Sequence, residues 1–395
     1  MNARRPALDI AIAGGGMVGA ACALSLARQG FSVALLEAHE PKPWHANEPE
    51  DLRVIALAPS SARLLDELGA WRSIAEARVS PYRRMCVWDA ASGAELGFDA
   101  ASEGRAQLGW IVENKLIAGT LWGALEPAGV RRVCPARVTT FVQREDRITL
   151  DLDNGKVLSA ALLVIADGAG SALREQAGIG VRGRDYQQRA VVAHVATERA
   201  HQATAWQRFA PEGPIALLPL SDGRSSIVWS LPETRAREVL ALDDVAFCEA
   251  AGLASDFRLG RMTGSTPRAS FPLRLQIAER FATGRCVLIG DAAHAVHPLA
   301  GQGANLGLRD VAELAAVLGE ARDAGRDFAA LYVLQRYARR RRAASTLDAY
   351  AFDAIERMFA WQSPPWAAIR GLGIRATDAI QPLKRHLSAH AAGIT

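Results

Sequence analysis

Short runs of consecutive hydrophobic residues near the N-terminus flank a stretch with helical spacing. Residues 8–13 and 32–36 are apolar runs of the length that predicts buried strands, while residues 17–29 repeat apolar side chains at helical intervals. Gly30 follows the helical stretch as a stop. The pattern therefore predicts a strand, a helix and a second strand, which is the first unit of a Rossmann-like sheet.

The next part of the chain divides between helical and strand-like patterns. Residues 59–69 and 111–126 predict helices, whereas residues 79–107 alternate irregularly, as in strands that leave the first domain. Residues 141–166 predict a meander with a D-N-G hairpin turn at 153–155.

The pattern changes near residue 180. Short β-like runs at 190–196, 215–218 and 225–229 surround one predicted helix at 243–251. We therefore predict an α/β fold in which a Rossmann-like domain is interleaved with a sheet-rich substrate domain and followed by a C-terminal helical tail. The predicted segments are 1–78, 108–179 and 282–345 for the first domain, 79–107 and 180–281 for the second, and 346–395 for the tail.

The first predicted turn carries the fingerprint of a dinucleotide site. Gly14, Gly16 and Gly19 match G-x-G-x-x-G between the strand and the helix. These glycines permit the tight turn, the approach of backbone to a pyrophosphate, and close packing of the helix on the strand. Glu37 ends the second strand, where an acid accepts hydrogen bonds from an adenosine ribose and disfavours a 2′-phosphate. The fingerprint predicts FAD or NAD rather than NADP, and it does not separate the first two.

A second glycine-rich stretch runs from residue 284 to residue 310. It predicts a buried strand at 286–289 that is followed by Gly290-Asp291, and a turn in which Gly301 and Gly303 flank Gln302 before a helix. Such a turn lets backbone N–H groups approach a ligand, toward which the helix directs its positive end. The Asp291 carboxylate would repel a phosphate, so we expect it to accept from a ribityl or other polyol hydroxyl. The alternative is a buried strand–loop–helix with glycines at its caps.

Two weaker signals lie between these stretches. Arg53 precedes a predicted helix and could neutralise a pyrophosphate; the alternative is a surface ion pair with Asp51. Asp167 follows the last strand of the meander, where a carboxylate can contact a cofactor at the carboxyl edge of a sheet. Asp-Gly is also a common turn, so this signal is weak when taken alone.

Aromatic residues provide candidates for a substrate wall. Trp206, Phe209 and Trp229 could line a pocket for a flat apolar ring, although core packing is the commoner fate of such residues. In the tail, Trp361 and Trp366 lie among apolar residues with helical spacing, which predicts packing onto the body, a partner or a membrane.

Two clusters of polar residues have simpler explanations than a ligand site. Asp291, His294 and His297 have a spacing that suggests a metal, but no further acid or cysteine completes a ligand set, so we predict no metal. Four consecutive arginines at 339–342 wrap one full turn of a predicted helix and cannot form a single basic face. We interpret them as a solvated helix end.

Composition is that of an ordinary globular protein. Of the 395 residues, 50% are hydrophobic and 22% charged, and the net charge of +4 is too small to imply nucleic acid. The five cysteines are scattered without a C-x-x-C, which favours a reducing cytoplasm over disulfides or zinc. The uncharged stretch at 10–27 resembles a signal peptide, but the strand–turn–helix pattern explains it. We predict a cytoplasmic protein, with peripheral contact at the inner membrane face as an option.

Together these segments resemble the class A FAD-dependent aromatic hydroxylases over essentially the whole chain. G-G-G-M-V-G with Glu37 is similar to their adenosine site, A-D-G-A-G-S-A-L-R at 166–174 to their D-G segment, and G-D-A-A-H at 290–294 to their G-D segment. The run H-P-L-A-G-Q-G-A-N-L-G-L-R-D at 297–310 is similar to the signature of the ubiquinone-biosynthesis hydroxylases, the UbiH/UbiF/VisC group. The resemblance implies that the Rossmann-like domain binds FAD.

The resemblance also implies individual FAD contacts. Val138 would act through its backbone near the adenine, and Asn114 stands where relatives often carry Arg or Gln. Pro298 and Gly301 would line the flavin. The full implied set is Gly14, Gly16, Gly19, Glu37, Arg53, Asn114, Val138, Asp167, Asp291, Gly301, Gln302, Gly303, Ala304 and Asn305.

In such enzymes NAD(P)H, bound transiently, reduces the flavin, and O2 supplies the hydroxyl oxygen. Because the flavin carries this chemistry, we assign no catalytic acid or base. The protein is expected to exclude water, to position the ring and to place backbone donors near the flavin.

The leading hypothesis is hydroxylation of a polyprenylated phenol or quinol on the route to ubiquinone. Its partners would be the substrate, O2, a further copy of the chain or a biosynthetic complex, and a membrane surface, but no nucleic acid. One alternative is a flavin hydroxylase of a small soluble aromatic. Another is a non-catalytic FAD-fold protein that carries prenyl lipids or acts as a scaffold.

Overall fold

The computed structural model describes residues 8–296, 302–361 and 363–393, and these residues form three sheets and eleven α-helices. The strands are β1 Leu8–Ala13, β2 Val33–Leu36, β3 Val54–Leu57, β4 Val79–Tyr82, β5 Arg84–Asp89, β6 Glu95–Asp99, β7 Gly109–Glu113, β8 Arg131–Val133, β9 Val138–Gln143, β10 Ile148–Leu152, β11 Val157–Ile165, β12 Val181–Thr197, β13 Thr204–Ala210, β14 Gly213–Pro219, β15 Ser225–Pro232, β16 Met262–Ser265, β17 Ala269–Ala278, β18 Ala282–Thr283, β19 Cys286–Leu288 and β20 His294–Ala295. The helices are α1 Met17–Arg28, α2 Pro59–Glu67, α3 Trp71–Ala77, α4 Asn114–Leu125, α5 Ala172–Gln176, α6 Glu233–Ala241, α7 Asp244–Ala254, α8 Gln302–Asp323, α9 Leu331–Ala360, α10 Pro364–Ala379 and α11 Gln381–Ala392. Single 3-10 turns span Ala101–Glu103 and Gly290–Ala292.

The first sheet contains the predicted Rossmann-like core. Its strand order is β18-β19-β11-β1-β2-β8, and β10 and β9 continue antiparallel from β11. β1 runs parallel to β2 and to β11, and β11 runs parallel to β19. The carboxyl ends of these strands therefore meet at one edge. Ile10, Ile12 and Leu35 are fully buried, as the continuous apolar runs predict for strands covered on both faces.

A small antiparallel sheet, β3-β7-β4, lies between the first sheet and the second. Ala56 and Ile111 pack from it against residues of the second sheet. One sequence prediction is wrong here: residues 111–113 end β7, and α4 begins only at Asn114. The strand β4, which the pattern assigns to the second domain, pairs with β7. Short apolar runs satisfy both helical and strand periodicity, so pairing decides between them.

The second sheet has the order β20-β17-β12-β15-β14-β13-β5-β6, and β16 pairs with β12. Along β12, Val191, Ala193 and Val195 are buried in a core shared with α6 and α7. His194 alternates to the opposite face, which looks toward the first domain, where its ring nitrogen contacts the Asp51 carbonyl oxygen at 3.1 Å. The sequence pattern did not indicate α6, because this helix buries only two apolar side chains and is otherwise polar.

The C-terminal helices are fixed to the second sheet by a buried ion pair. The Arg370 guanidinium of α10 donates to both carboxylate oxygens of Asp89 in β5 at 2.9 and 3.0 Å, and both side chains are 2% exposed. The same guanidinium donates to the carbonyl oxygens of Met358 and Trp361 at 2.8 and 2.9 Å, which fixes the turn between α9 and α10. Within the described residues, no helix combines the length and the hydrophobicity needed to cross a bilayer.

We expect Arg370→Met to lower the free energy of unfolding by about 3–5 kcal/mol, because the Asp89 carboxylate would stay buried without its partner. Urea unfolding followed by circular dichroism measures the loss. Arg237→Met is the matched control, since its ion pair with Glu233 lies on the exposed surface of α6 and contributes little. Equal losses in the two variants would contradict the importance of the buried pair.

Candidate active site

Three separated segments of the chain meet at the carboxyl edge of the first sheet. The Ala166 N–H donates to the Ala13 carbonyl oxygen at 2.8 Å, and the Ile289 N–H donates to the Ile165 carbonyl oxygen at 3.1 Å. The glycine turn after β1, the Asp-Gly turn after β11 and the Gly-Asp turn after β19 are therefore neighbours. This convergence brings together the three segments from which the sequence predicts a cofactor site.

The glycine turn is built for close approach of backbone. Gly14 has a φ of +107°, and a Cβ placed there would lie 2.3 Å from the Ala166 carbonyl oxygen. A Cβ on Gly19 would lie 1.9 Å from the Gly14 carbonyl oxygen. At Gly16, which caps α1, a Cβ would have no neighbour within 4 Å. Gly14 and Gly19 are thus needed for packing, and Gly16 leaves open space at the N-terminus of α1, where a pyrophosphate is favoured.

Glu37 lies at the end of β2, beside this turn. Its carboxylate accepts from the backbone N–H groups of Gly15 and of His39, the latter at 3.1 Å. The Ala136 N–H donates to the Glu37 carbonyl oxygen at 2.8 Å, which places the chain leading into β9 alongside Glu37. Val138, the first residue of β9, therefore lies two residues along the chain from Ala136, which contacts Glu37. The arrangement is consistent with an adenosine site at this end of the edge.

Arg53 and Asn114 are neighbours in the structure. The Asn114 N–H donates to the Arg53 carbonyl oxygen at 2.9 Å, and the Arg53 side chain is exposed. Asp51 accepts from the backbone N–H groups of Arg53 and Lys115. No ion pair joins the Arg53 guanidinium to Asp51 in the part of the chain that the structure describes, so the surface-pair alternative is not found.

Asp167 and Asp291 expose their carboxylates at the shared edge. Partial burial raises the pKa of the Asp167 carboxyl, although the residue remains exposed to solvent. Asp291 lies in the 3-10 turn after β19 and is exposed. Arg174 holds the two turns together, since its guanidinium donates to the Ala169 and Ala292 carbonyl oxygens at 3.0 and 3.2 Å. The sequence pattern did not indicate this role of Arg174.

Helix α8 begins at Gln302, so the N–H groups of Gly303 and Ala304 lie in its first turn without intrahelical acceptors. Pro298, Gly301 and His297 lie outside the described residues, as does the side chain of Gln302. The predicted backbone donors that the structure describes are thus those of the first helical turn.

The side chain of Asn305 holds helix α8 in place. Its side chain is fully buried, and its Oδ1 accepts from the Ala58 N–H at 2.9 Å and from the Ser61 hydroxyl at 2.8 Å. Its Nδ2 donates to the Ala56 carbonyl oxygen at 2.8 Å. The side chain therefore connects α8 to the β3–α2 junction, and only the backbone of Asn305 remains for a cofactor.

A buried charged cluster lies behind the Gly-Asp turn. Asp310 on α8 accepts from the Gly290 N–H at 2.9 Å, the His294 Nε2 at 2.6 Å and the Arg341 Nε at 2.7 Å. Arg341 is 8% exposed and also donates to the Leu306 carbonyl oxygen. The prediction that the arginine run at 339–342 is a solvated helix end is therefore wrong for Arg341, which lies within α9 and packs against α8.

The same contacts account for His294, the first histidine of the two-histidine run. His294 binds Asp310, and no group of His, Cys, Asp or Glu among the residues that the structure describes could hold a metal ion. Complete burial by itself raises the pKa of Asp310, but His294 and Arg341 together outweigh it, so this pKa lies below its usual value. Asp310 was recognisable in the sequence only as the last residue of the glycine-rich run.

The aromatic candidates of the second sheet serve mainly as packing residues. Trp229 is buried in the core beneath α6 and α7, as the core alternative predicts. Phe209 stacks on Phe359 of α9 with ring centroids 3.8 Å apart. Trp206 packs against the helix-covered core and the Trp88 ring, and it also borders a narrow recess on the other side of its strand. Neighbouring helices thus cover the rings of Trp229 and Phe209, as the core-packing alternative predicts.

Comparison with known proteins gives the same assignment along the whole chain. The FAD binding domain family matches residues 7–347. The 3-demethoxyubiquinol 3-hydroxylase of Escherichia coli strain K12 is 39% identical over 390 residues, which cover 98% of each chain. The human mitochondrial ubiquinone biosynthesis monooxygenase COQ6 is 35% identical over 97% of this chain and 92% of its own.

The chain belongs to the FAD-dependent ubiquinone-biosynthesis hydroxylases. It is therefore an FAD-dependent monooxygenase. The fold agrees: p-nitrophenol 4-monooxygenase PnpA of Pseudomonas putida superimposes with a TM-score of 0.78 at 19% identity over 97% of both chains. Klebsiella pneumoniae HpxO, solved with FAD and uric acid, superimposes with a TM-score of 0.73 at 20% identity over 100% of this chain and 98% of its own.

The residues of this family member fit FAD. The space at Gly16 faces the N-terminus of α1 and suits the pyrophosphate, while Glu37 can accept from the adenosine ribose. Asp291 offers an exposed carboxylate at the same edge for a hydroxyl of the ribityl chain. The donors and acceptors thus follow the chemical order of the cofactor along the edge.

We expect Asp291→Ala to weaken FAD binding about 10- to 100-fold, because a hydrogen bond from a hydroxyl to a charged acceptor contributes roughly 1.5–3 kcal/mol. The ratio of flavin absorbance to protein absorbance after gel filtration measures retention. Asp323→Ala, at the exposed far end of α8, is the control and should stay yellow. Full occupancy in Asp291→Ala would show that this carboxylate does not bind the cofactor.

We expect Asp310→Asn to reduce the acid sensitivity of folding. Because the pKa of Asp310 is lower in the folded protein than in the unfolded chain, the unfolded chain takes up its proton first as the pH falls below about 4. This residue therefore stabilises the fold above that pH, and its contribution is lost below it. Urea midpoints between pH 3 and pH 7 should be lower throughout for Asp310→Asn but should fall less steeply toward acid. An unchanged slope would contradict the lowered pKa.

Proposed function

We propose that this enzyme hydroxylates the aromatic ring of a polyprenylated phenol or quinol on the route to ubiquinone. The observation that carries the proposal is the convergence of three cofactor-binding turns at one sheet edge in a chain so similar to the Escherichia coli hydroxylase. The names of that relative and of COQ6 place their own reactions in ubiquinone metabolism. NAD(P)H is the proposed reductant, bound transiently, and O2 is the proposed oxygen donor.

A narrow apolar recess, with room for about one water molecule, lies between the small sheet and the second sheet. The described residues that line it carry no charged side chain, but the recess is too small to admit an aromatic ring. The lining residues are Ala56, Tyr82, Met85, Ala205, Trp206, Gln207, Ala216 and Leu218.

The polar side-chain groups in this lining are the Tyr82 hydroxyl, the Gln207 amide and the Trp206 indole. Burial raises the pKa of Tyr82 to about 12, so its hydroxyl stays protonated at neutral pH. A protonated hydroxyl cannot accept the proton of a phenol, so we assign no catalytic base in this lining.

Bound FAD supplies the redox chemistry, accepting hydride from NAD(P)H and, when reduced, activating O2. The protein supplies binding and shape. In this proposal the first turn of α8 directs the N–H groups of Gly303 and Ala304 toward the flavin, where reduction adds negative charge. Asn305 and Asp310 hold that helix in place from behind.

A polyprenylated substrate partitions into bilayers, so we propose that the enzyme meets it at a membrane surface. A cytoplasmic location with peripheral contact at the inner membrane face stays a prediction. Self-association and assembly with other biosynthetic enzymes also stay predictions.

The test compares two ring substrates that differ only in the prenyl chain. Purified flavin-loaded enzyme, supplied with NADH or NADPH and air, should convert a short-chain prenylated demethoxyquinol analogue at least about tenfold faster than the same ring without the chain. Mass spectrometry should find one added oxygen in the product, derived from 18O2. Equal rates would favour the soluble-aromatic alternative. Tight binding of the prenylated ring with no oxygenated product from either ring would favour the carrier alternative.

A further inference from the structure

The helix α10 turns Arg370 and Asp378 toward the body, beside the smaller apolar contacts of Ala367 and Ile374. It exposes most of its large apolar side chains, which reverses the arrangement of an ordinary surface helix. Its inner face carries Arg370, buried against Asp89, and Asp378, which accepts from the Gly97 N–H of β6 at 3.2 Å. Its outer face carries Trp366, Ile369 and Leu372 at three-residue intervals, and these side chains are between 49% and 68% exposed. A helix whose outer face met only water would show the opposite arrangement.

The neighbouring segments continue this reversal. The Trp361 and Trp366 rings contact each other in the turn before α10, with centroids 5.0 Å apart, and both are about half exposed. On α11 the Ser388 hydroxyl is buried and donates to Glu103 at 2.8 Å, while Leu383 and Leu387 are exposed. Polar contacts thus hold these helices to the body, and the indoles and aliphatic side chains face outward.

The charge around this surface is positive. Residues 361–393 contain one acid, Asp378, and Lys384 pairs with it at 2.8 Å. Arg375 and Arg385 are exposed, and neither forms an ion pair with any residue that the structure describes. The apolar surface is therefore accompanied by unneutralised guanidinium groups.

We propose that this surface binds an anionic lipid bilayer. We call it the tail face and define it by Trp361, Trp366, Ile369, Leu372, Leu383 and Leu387. Indoles and aliphatic side chains beside arginines are the composition of helices that lie in the bilayer interface, and anionic headgroups neutralise the arginines. A second copy of the chain fits less well, because a twofold contact would bring like charges of two tail faces together.

The inference rests on the proposed function, because a substrate dissolved in the bilayer is the reason for this enzyme to bind a membrane. Its geometry does not depend on the substrate, since exposure, indole placement and charge are properties of the tail alone. A bound tail face would hold the enzyme at the surface from which a prenylated ring must be withdrawn.

Flotation of the flavin-loaded enzyme with vesicles tests the proposal. Wild-type protein should float with vesicles of 25% phosphatidylglycerol in phosphatidylcholine, and at least about fivefold less should float with pure phosphatidylcholine. Leu372→Glu should reduce flotation with the anionic vesicles at least about tenfold, because it places a carboxylate in the apolar face. Arg375→Glu combined with Arg385→Glu should remove the preference for anionic vesicles.

Leu253→Glu is the matched control. Leu253 is also a leucine on a helix, 59% exposed on α7 compared with 68% for Leu372, but it lies outside the tail face. Its variant should float like wild type, and all variants should keep the flavin content and melting temperature of wild type.

Equal flotation of Leu372→Glu and wild type would overturn the proposal, as would the absence of vesicle binding by wild type. A dimer that Leu372→Glu dissociates, without vesicle binding, would assign the face to a second copy instead. The hydroxylation assay with a short-chain substrate in detergent separates the two failures. Activity there with no flotation would overturn only the tail-face proposal, whereas flotation without activity would overturn only the proposed reaction.

Discussion

The flavin site depends on how closely the backbone after β1 approaches the backbone after β11. With glycine at position 14, the turn reaches the Ala166 carbonyl oxygen, and with glycine at position 19, α1 reaches the turn. Any side chain at either position would separate the strand ends that must share one edge. Since Asp167 and Asp291 follow strands joined to this edge, the placement that we predict for them beside one cofactor depends on the same contacts. Steric room for backbone is thus the first requirement of the site, before any charge or hydrogen bond.

Buried polar side chains meet the second requirement, which is to hold irregular turns in one position. Turns have few regular backbone hydrogen bonds, so their buried N–H and C=O groups need partners from elsewhere. Asn305 satisfies Ala56 and Ala58, Arg174 satisfies carbonyl groups of two turns, and Asp310 satisfies the N–H of the Gly-Asp turn. Apolar residues of the same size could fill these spaces but could not replace the bonds. The site is therefore surrounded by side chains whose role is position rather than contact with the cofactor.

Much of this fold could be predicted from local pattern, and the misses share one cause. The first strand and helix were predicted to within a residue, and the glycine fingerprint located the first turn, because both depend on neighbouring residues. The partners of the Asn305 side chain lie 244–249 residues away in the chain, so no local pattern could predict the bonds that it makes. Arg341 looked like part of a solvated run for the same reason. The alternation of its strand places Trp229 on one face of the sheet. That face is the core because α6 and α7 cover it, and the sequence pattern did not indicate α6.

The tail shows what a buried ion pair can contribute beyond stability. Replacing such a pair with apolar residues often costs little, so stability alone does not require Arg370 and Asp89. An apolar inner face, however, would leave α10 with two similar faces and no reason to prefer one against the sheet. The bidentate bond fixes the rotation of the helix, since only one face can present Arg370 to Asp89. It follows that the indoles and leucines are held outward by the polar contacts beneath them, and we infer that orientation is the main contribution of this pair.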